Sequence, residues 1–195
     1  MTGDDVYLTV LPAAHNFPLS CPGMLGAMSV GANTVFTTDP SPESAFATIA
    51  RHRVTVCALV PALATLWTQA CEWEPQRPTT LRLLQVGGAK LSAPDAAAAR
   101  AALTPGLQQV FGMAEGLINY TRPGDDPELL DAVEEAMRDV VDPELGINVV
   151  DLGLVYGMTL EEGDEGTVVK LDMTLTSAAC PLTDVIEDQS RTALV

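Results

Sequence analysis

The sequence predicts an α/β chain in two parts: a segment built on a parallel sheet over residues 1–124, then a small α+β unit of helix, two strands and helix over residues 125–195. Three observations predict it. Up to residue 124, short Val- and Leu-rich runs alternate with helix-start signals, as expected for parallel strands buried on both faces. Beyond it, one amphipathic helix is followed by two alternating runs and a further helix start. Charge breaks at the same place: 7 Lys and Arg stand against 8 Asp and Glu up to Gly124, and 3 against 18 from Asp125 onward, so nearly all of the net charge of -16 sits in the last third. An asymmetry of that size, at the turn-forming Pro123-Gly124-Asp125-Asp126, marks a boundary.

The elements follow in order. Strands are predicted at DVYLTVL (5–11), NTVFTT (33–38), VTVCALV (54–60), LRLLQVG (81–87) and LQQVFG (107–112). Helices fill the gaps, two of them with clear starts: Ser41 caps ahead of Pro42 and Glu43, and Ser92-Ala-Pro-Asp precedes AAAARAAL. In the last third Asp126 caps, Pro127 is the first helical residue, and Leu129, Leu130, Val133, Met137 and Val140 form the apolar stripe. LGLVYGMTL (152–160) and TVVKLDMTLT (167–176) read as strands joined by the acidic turn EEGDEG, and Pro181 opens a final helix.

Composition excludes several classes. At 47% apolar and 18% charged, the chain is globular rather than disordered. The acidic balance argues against nucleic acid or an anionic membrane as partner, because phosphate binding needs clustered Lys and Arg. No run is long and unbroken enough to span a bilayer, and the N-terminus lacks the basic start and apolar core of a secretory signal, so the cytoplasm is expected. Cysteines at 21, 57, 71 and 180 form no CxxC, which indicates neither a disulfide framework nor a self-contained zinc site. Cys57, within VTVCALV, reads as a small core hydrophobe.

Alternating strands and helices imply right-handed crossovers, with ligands beyond the carboxyl ends of the strands. The segments there are AAHNFPLSCPG (13–23), VPALATLW (60–67), VGGAKLS (86–92) and VFGMAEGLINYTR (110–122). Together, in this order, they resemble the middle of an adenylate-forming enzyme, specifically an aryl-acid AMP ligase that activates salicylate or 2,3-dihydroxybenzoate for siderophore synthesis. The resemblance covers residues 4–124. It implies an aryl-acid site in which Asn16 bonds the ortho hydroxyl and carboxylate region, His15 lines the pocket and Cys21 faces the 3-position of the ring. A Cys there resembles the salicylate-preferring members, because a second ring hydroxyl would lose its partner. Gly87, Gly88 and Ala89 let backbone approach the ring and adenine. Gly112, Met113, Ala114 and Glu115 resemble the loop that packs on AMP, with Glu115 as a hard oxygen ligand for Mg²⁺. Taken as bare residues, His15 reads as a surface or packing side chain and Glu115 as an ordinary cap. The family's phosphate loop lies upstream of residue 4, and its ribose-binding Asp and catalytic-Lys domain lie downstream of Thr121. No ATP-driven ligase turnover is therefore expected of the chain alone.

The second segment carries a different set of marks: Asp142-Pro143-Glu144, Asp151-Leu152-Gly153, Thr174, Thr176, Cys180 and Pro181. Over residues 128–195 these resemble the SufT-like family of iron-sulfur assembly proteins. The resemblance implies an iron-sulfur cluster or iron held transiently through Cys180, with Asp142, Glu144, Asp151 and Thr176 shaping that site, and iron-sulfur assembly machinery or client apo-proteins as partners. Chemistry singles out Cys180 independently: a Cys just before a Pro that starts a helix sits where backbone N–H groups favour thiolate. Asp184, Glu187 and Asp188 oppose that shift. One thiolate does not complete a cluster's four ligands, so a cluster would bridge two chains in a homodimer or be shared with a partner. The structural alternative is a buried Cys180, with Asp142, Glu144 and Asp151 in turn and cap roles. The two resemblances together imply a fusion of two partial modules. Iron-sulfur assembly or metal–sulfur trafficking through Cys180 is the expected residual activity. Aryl-acid or AMP binding without turnover, and a chain with neither activity, are the alternatives.

Overall fold

The computed structural model describes residues 1–112, 118–121, 126–143, 145–163, 166–174 and 183–194. The chain divides into two compact units, Met1–Gly124 and Asp125–Val195.

The first unit opens with β1 (Val6–Thr9), two short helices α1 (Asn16–Ser20) and α2 (Gly23–Ser29), and β2 (Asn33–Phe36). It continues through α3 (Pro42–His52), β3 (Val56–Leu59), α4 (Pro61–Ala70), β4 (Leu83–Gly87), α5 (Ala93–Ala102), β5 (Leu107–Gly112) and β6 (Ile118–Tyr120). The sheet order is β2-β1-β3-β4-β5-β6, parallel except where β6 returns antiparallel to β5. The predicted strands form, the first four trimmed at one or both ends and β5 with its predicted bounds. β2 departs from the prediction of burial on both faces: as the edge strand it pairs only with β1, and Phe36 is 62% exposed. Helices α3, α4 and α5 begin with Pro at the first turn, and Ser41 and Ser92 accept from Ser44 N and Asp95 N as predicted caps.

Period-2 alternation sorts the strands' side chains onto two faces. Leu8, Cys57, Leu59, Leu84, Val86 and Leu107 pack with Phe46, Ile49, Ala64 and Trp67 in the larger core, where Phe46 and Trp67 meet edge to face at 5.5 Å. Trp67 Nε1 donates to Pro40 O at 3.0 Å, so its one polar atom is satisfied. Tyr7, Val56, Ala58 and Val110 face the other way, under Phe17, Cys21 and Ala27. At the amino ends of the strands the buried Asp5 carboxylate accepts from Arg82 Nε at 2.9 Å, Arg82 Nη2 at 2.5 Å, Thr55 Oγ1 at 2.7 Å and Thr2 N at 2.8 Å. It thereby ties β1 to the entries of β3 and β4.

The second unit comprises α6 (Pro127–Met137), β7 (Val155–Gly163), β8 (Gly166–Met173) and α7 (Thr183–Ala193). Asp126 Oδ1 accepts from Glu128 N at 2.9 Å, the predicted cap. Leu130, Val133, Met137 and Val140 are buried, but Leu129 is 37% exposed. The predicted stripe was one residue too wide, because positions 130, 133 and 137 complete a helical face without it. β7 and β8 form an antiparallel ribbon with Gly163 opposite Gly166. Glu161 and Glu162 therefore belong to a strand rather than to the predicted turn, and β7 begins at Val155, later than the predicted 152. Met137, Val140, Val149, Leu154 and Ile186 make this unit's own core.

Candidate functional site at the carboxyl edge of the parallel sheet

The first unit brings together residues from three separate crossings. After β1 the chain turns into α1, capped by His15: its Nδ1 accepts from Phe17 N at 3.2 Å. One ring nitrogen is thus committed to the backbone, and Nε2 is left for other contacts. Asn16 is exposed, and its Oδ1 accepts from Ser20 Oγ at 2.5 Å, leaving the amide N–H groups for other contacts. Cys21, 3% exposed, closes α1 and donates from Sγ to Asn16 O at 3.5 Å.

β4 ends opposite this turn. A side chain at Gly87 would put its Cβ 2.7 Å from Val110 O and 3.0 Å from Phe17 Cζ, closer than Cβ atoms stand. Glycine is thus required for the α1 ring to lie on the sheet edge. Gly88 has φ +85, the left-handed region that glycine enters freely, and lies against Val60 Cγ1 at the head of α4. Ala89 follows, exposed. Gly112 ends β5 opposite Ile118 of β6. The structure thus brings Phe17, Cys21, Gly87 and Val110 together, with Gly88 following Gly87 at the strand end. Met113, Ala114 and Glu115 lie outside the described residues.

Phe17, Tyr7 and Tyr120 were not singled out from sequence. Phe17 was legible in the quoted AAHNFPLSCPG run, as the aromatic next to the His-Asn pair. Tyr7 points beneath α1 on the face that alternation assigns to it, and burial pushes its phenol up, with Cys57 and Cys21 adding to the effect. Tyr120 is raised in the same direction by burial and then by Cys21. Of the two, Tyr7 shares a buried cluster with Cys21.

In the second unit the described residues among those predicted, Asp142 and Asp151, accept local hydrogen bonds. Asp142 is 1% exposed and its Oδ1 accepts from Leu145 N at 3.1 Å. Asp151 accepts from Arg138 Nη1 and from Asn148 Nδ2, the latter at 2.8 Å. Hydrogen bonds from Asn148 and then Arg138 hold the Asp151 carboxyl below its usual range. Glu144, Thr176 and Cys180 lie outside the described residues, and among the described ones no three His, Cys, Asp or Glu side chains converge. The described residues give no ligand set for Mg²⁺ or iron.

A doubly covered parallel sheet with an aromatic, glycine-lined turn at its carboxyl edge matches a fragment of an adenylate-forming α/β domain. The chain belongs to that family: the AMP-binding enzyme model matches residues 1–156. The iron-sulfur cluster assembly protein model matches residues 130–195, overlapping the first over 130–156. The chain is 70% identical over 131 residues to the salicyl-AMP ligase / salicyl-S-ArCP synthetase of Mycobacterium tuberculosis, covering 67% of this chain and 23% of that protein. It is 53% identical over 123 residues to the 2,3-dihydroxybenzoate-AMP ligase of Bacillus subtilis, covering 63% and 23%. Among solved structures, apo MbtA of Mycobacterium smegmatis superposes with a TM-score of 0.60 at 38% identity, over 100% of this chain and 52% of that one. The chain spans about a quarter of the length of these curated relatives.

Proposed function

We propose that the first unit is the aryl-acid recognition part of a siderophore-type adenylating enzyme and binds salicylate in preference to 2,3-dihydroxybenzoate. The observation that carries this reading is the meeting of Phe17, Cys21 and the side-chain-free Gly87 at one strand end. An aromatic acid would stack on the ring and backbone there, while Asn16 offers its amide and His15 its free ring nitrogen. The buried Cys21 sulfur offers a second ring hydroxyl only a weak acceptor. ATP and Mg²⁺ belong to the activity of the whole family enzyme. The junction near Gly124, the two-module organisation and a cytoplasmic setting are parts of this reading.

Isothermal titration of the full chain with salicylate and with 2,3-dihydroxybenzoate tests it. Saturable salicylate binding, weakened by Asn16→Ala, is expected; no binding of either acid, or binding indifferent to Asn16→Ala, overturns it.

A second reading concerns the second unit, supported by the iron-sulfur assembly model over residues 130–195. Here Cys180 handles iron or an iron-sulfur cluster in transit to assembly machinery or client apo-proteins. Anaerobic addition of iron and sulfide is expected to give a visible chromophore that Cys180→Ser abolishes. A chromophore that persists in the variant, or none in either protein, sinks it.

A further inference from the structure

The Asp142–Asn148 turn is held far more firmly than an exposed loop requires. Val141 bridges antiparallel to Asn148, Asp142 N donates to Ile147 O at 2.9 Å, and Gly146 N donates to Asp142 O at 2.8 Å. The buried Asp142 carboxylate caps Leu145 N, and Gly146 has φ +67 with open space around it. Val141 N is tied to α7 by Gln189 Oε1 at 3.0 Å, and Val185 lies one helical turn before Gln189. What this rigid turn presents is apolar: Val141 is 37%, Leu145 52%, Ile147 47% and Val185 41% exposed.

The surroundings are acidic. Asp139, two residues before Val141, and Asp184 and Asp188, one and three residues from Val185, are exposed. Each of the unit's three cations is already engaged: Arg138 with Asp151, Glu134 and Glu135, Lys170 with Glu161, and Arg191 with Glu187. Residues 125–195 carry 3 Lys and Arg against 18 Asp and Glu, so two copies of this surface repel each other.

We propose that the Val141–Leu145–Ile147–Val185 face is a docking surface for a basic amphipathic segment of a partner protein. Apolar side chains of that segment cover Leu145 and Ile147 while its Lys and Arg meet the acidic rim. Asp142 then serves to present this face, whatever the chemistry of Cys180.

The test uses the full chain and two labelled helical peptides, one of Leu and Lys at amphipathic spacing and one with Glu in place of Lys, read by fluorescence anisotropy. The Lys peptide is expected to bind, and to lose about tenfold in affinity in Leu145→Ser/Ile147→Ser through lost apolar burial. Asp184→Asn/Asp188→Asn is expected to weaken binding severalfold without touching the apolar face, which keeps the proposal testable should the serine variant unfold. Equal binding of the Glu peptide, or wild-type affinity in both variants, overturns it. Concentration-dependent self-association abolished by the serine pair also overturns it, assigning the face to a second copy.

Discussion

Removing the Asp5 carboxylate is expected to cost more than any other single polar change in the first unit. Asp5 is 3% exposed and accepts five hydrogen bonds, two of them from the Arg82 guanidinium. Breaking a buried pair costs about 3–5 kcal/mol, and because the Arg82 side chain is 49% exposed and can rehydrate, Asp5→Ala should fall near the low end, about 3 kcal/mol. With a urea slope of about 1.5–2 kcal/mol per M, the midpoint moves down by about 1.5–2 M. Trp67 is buried and Trp73 is 62% exposed, so unfolding is best followed by fluorescence in a Trp73→Phe background. The pH dependence adds a sign. The bond from Arg82 leads in holding the native Asp5 carboxyl well below its unfolded value, against an opposing push from burial. Its contribution is therefore fully present above the unfolded value of about 3.9 and is lost as pH falls from there toward the depressed native value. Asp5→Asn should lie below wild type at neutral pH and approach it as the medium is acidified through that window. Indistinguishable midpoints for Asp5→Ala and wild type at pH 7, or parallel acid profiles for Asp5→Asn and wild type, would refute the reasoning.

Further outcomes follow from the same geometry. Gly87→Ala should destabilise the first unit by about 1–3 kcal/mol and reduce salicylate affinity together, since the new Cβ displaces Phe17; urea titration and calorimetry on one preparation check both. Gly88→Ala, at φ +85, should cost about 1 kcal/mol from backbone strain while leaving Phe17 in place, which separates conformational from steric effects. Cys21→Ser should narrow the gap between salicylate and 2,3-dihydroxybenzoate, an unchanged ratio arguing against Cys21 as the discriminating contact. Asp126→Ala removes the α6 cap and should cost the second unit about 1 kcal/mol, read from circular dichroism melts.

The strands were legible because a parallel sheet needs both faces apolar, and runs such as VTVCALV have no other economical placement. Edges escaped that logic. β2 carries Thr and Val like its neighbours, yet its burial is decided by its position beside β1 alone. β6 is three residues long and acquires strand geometry only by returning along β5, which no local pattern announces. Helices α1 and α2 hold Pro18, Gly23 and Gly26, residues that argue against helix, and their shape is set by packing on Gly87 and Ala58. The site was legible as a set of motifs but not as a division of labour. His15 spending one nitrogen as a cap, and Tyr7 packing with Cys21, depend on chain crossings that spacing does not encode.

The central position of Cys57 makes the first unit its own stopwatch. Its thiol is fully enclosed in β3, and burial pushes it away from the reactive thiolate. An alkylating reagent can reach it only when the strands part, so the rate of modification in native buffer measures how often the interior opens. A ligand seated at the carboxyl edge of that sheet should slow the reaction in proportion to its occupancy, so modification followed at Cys57 itself reads out both folding and binding.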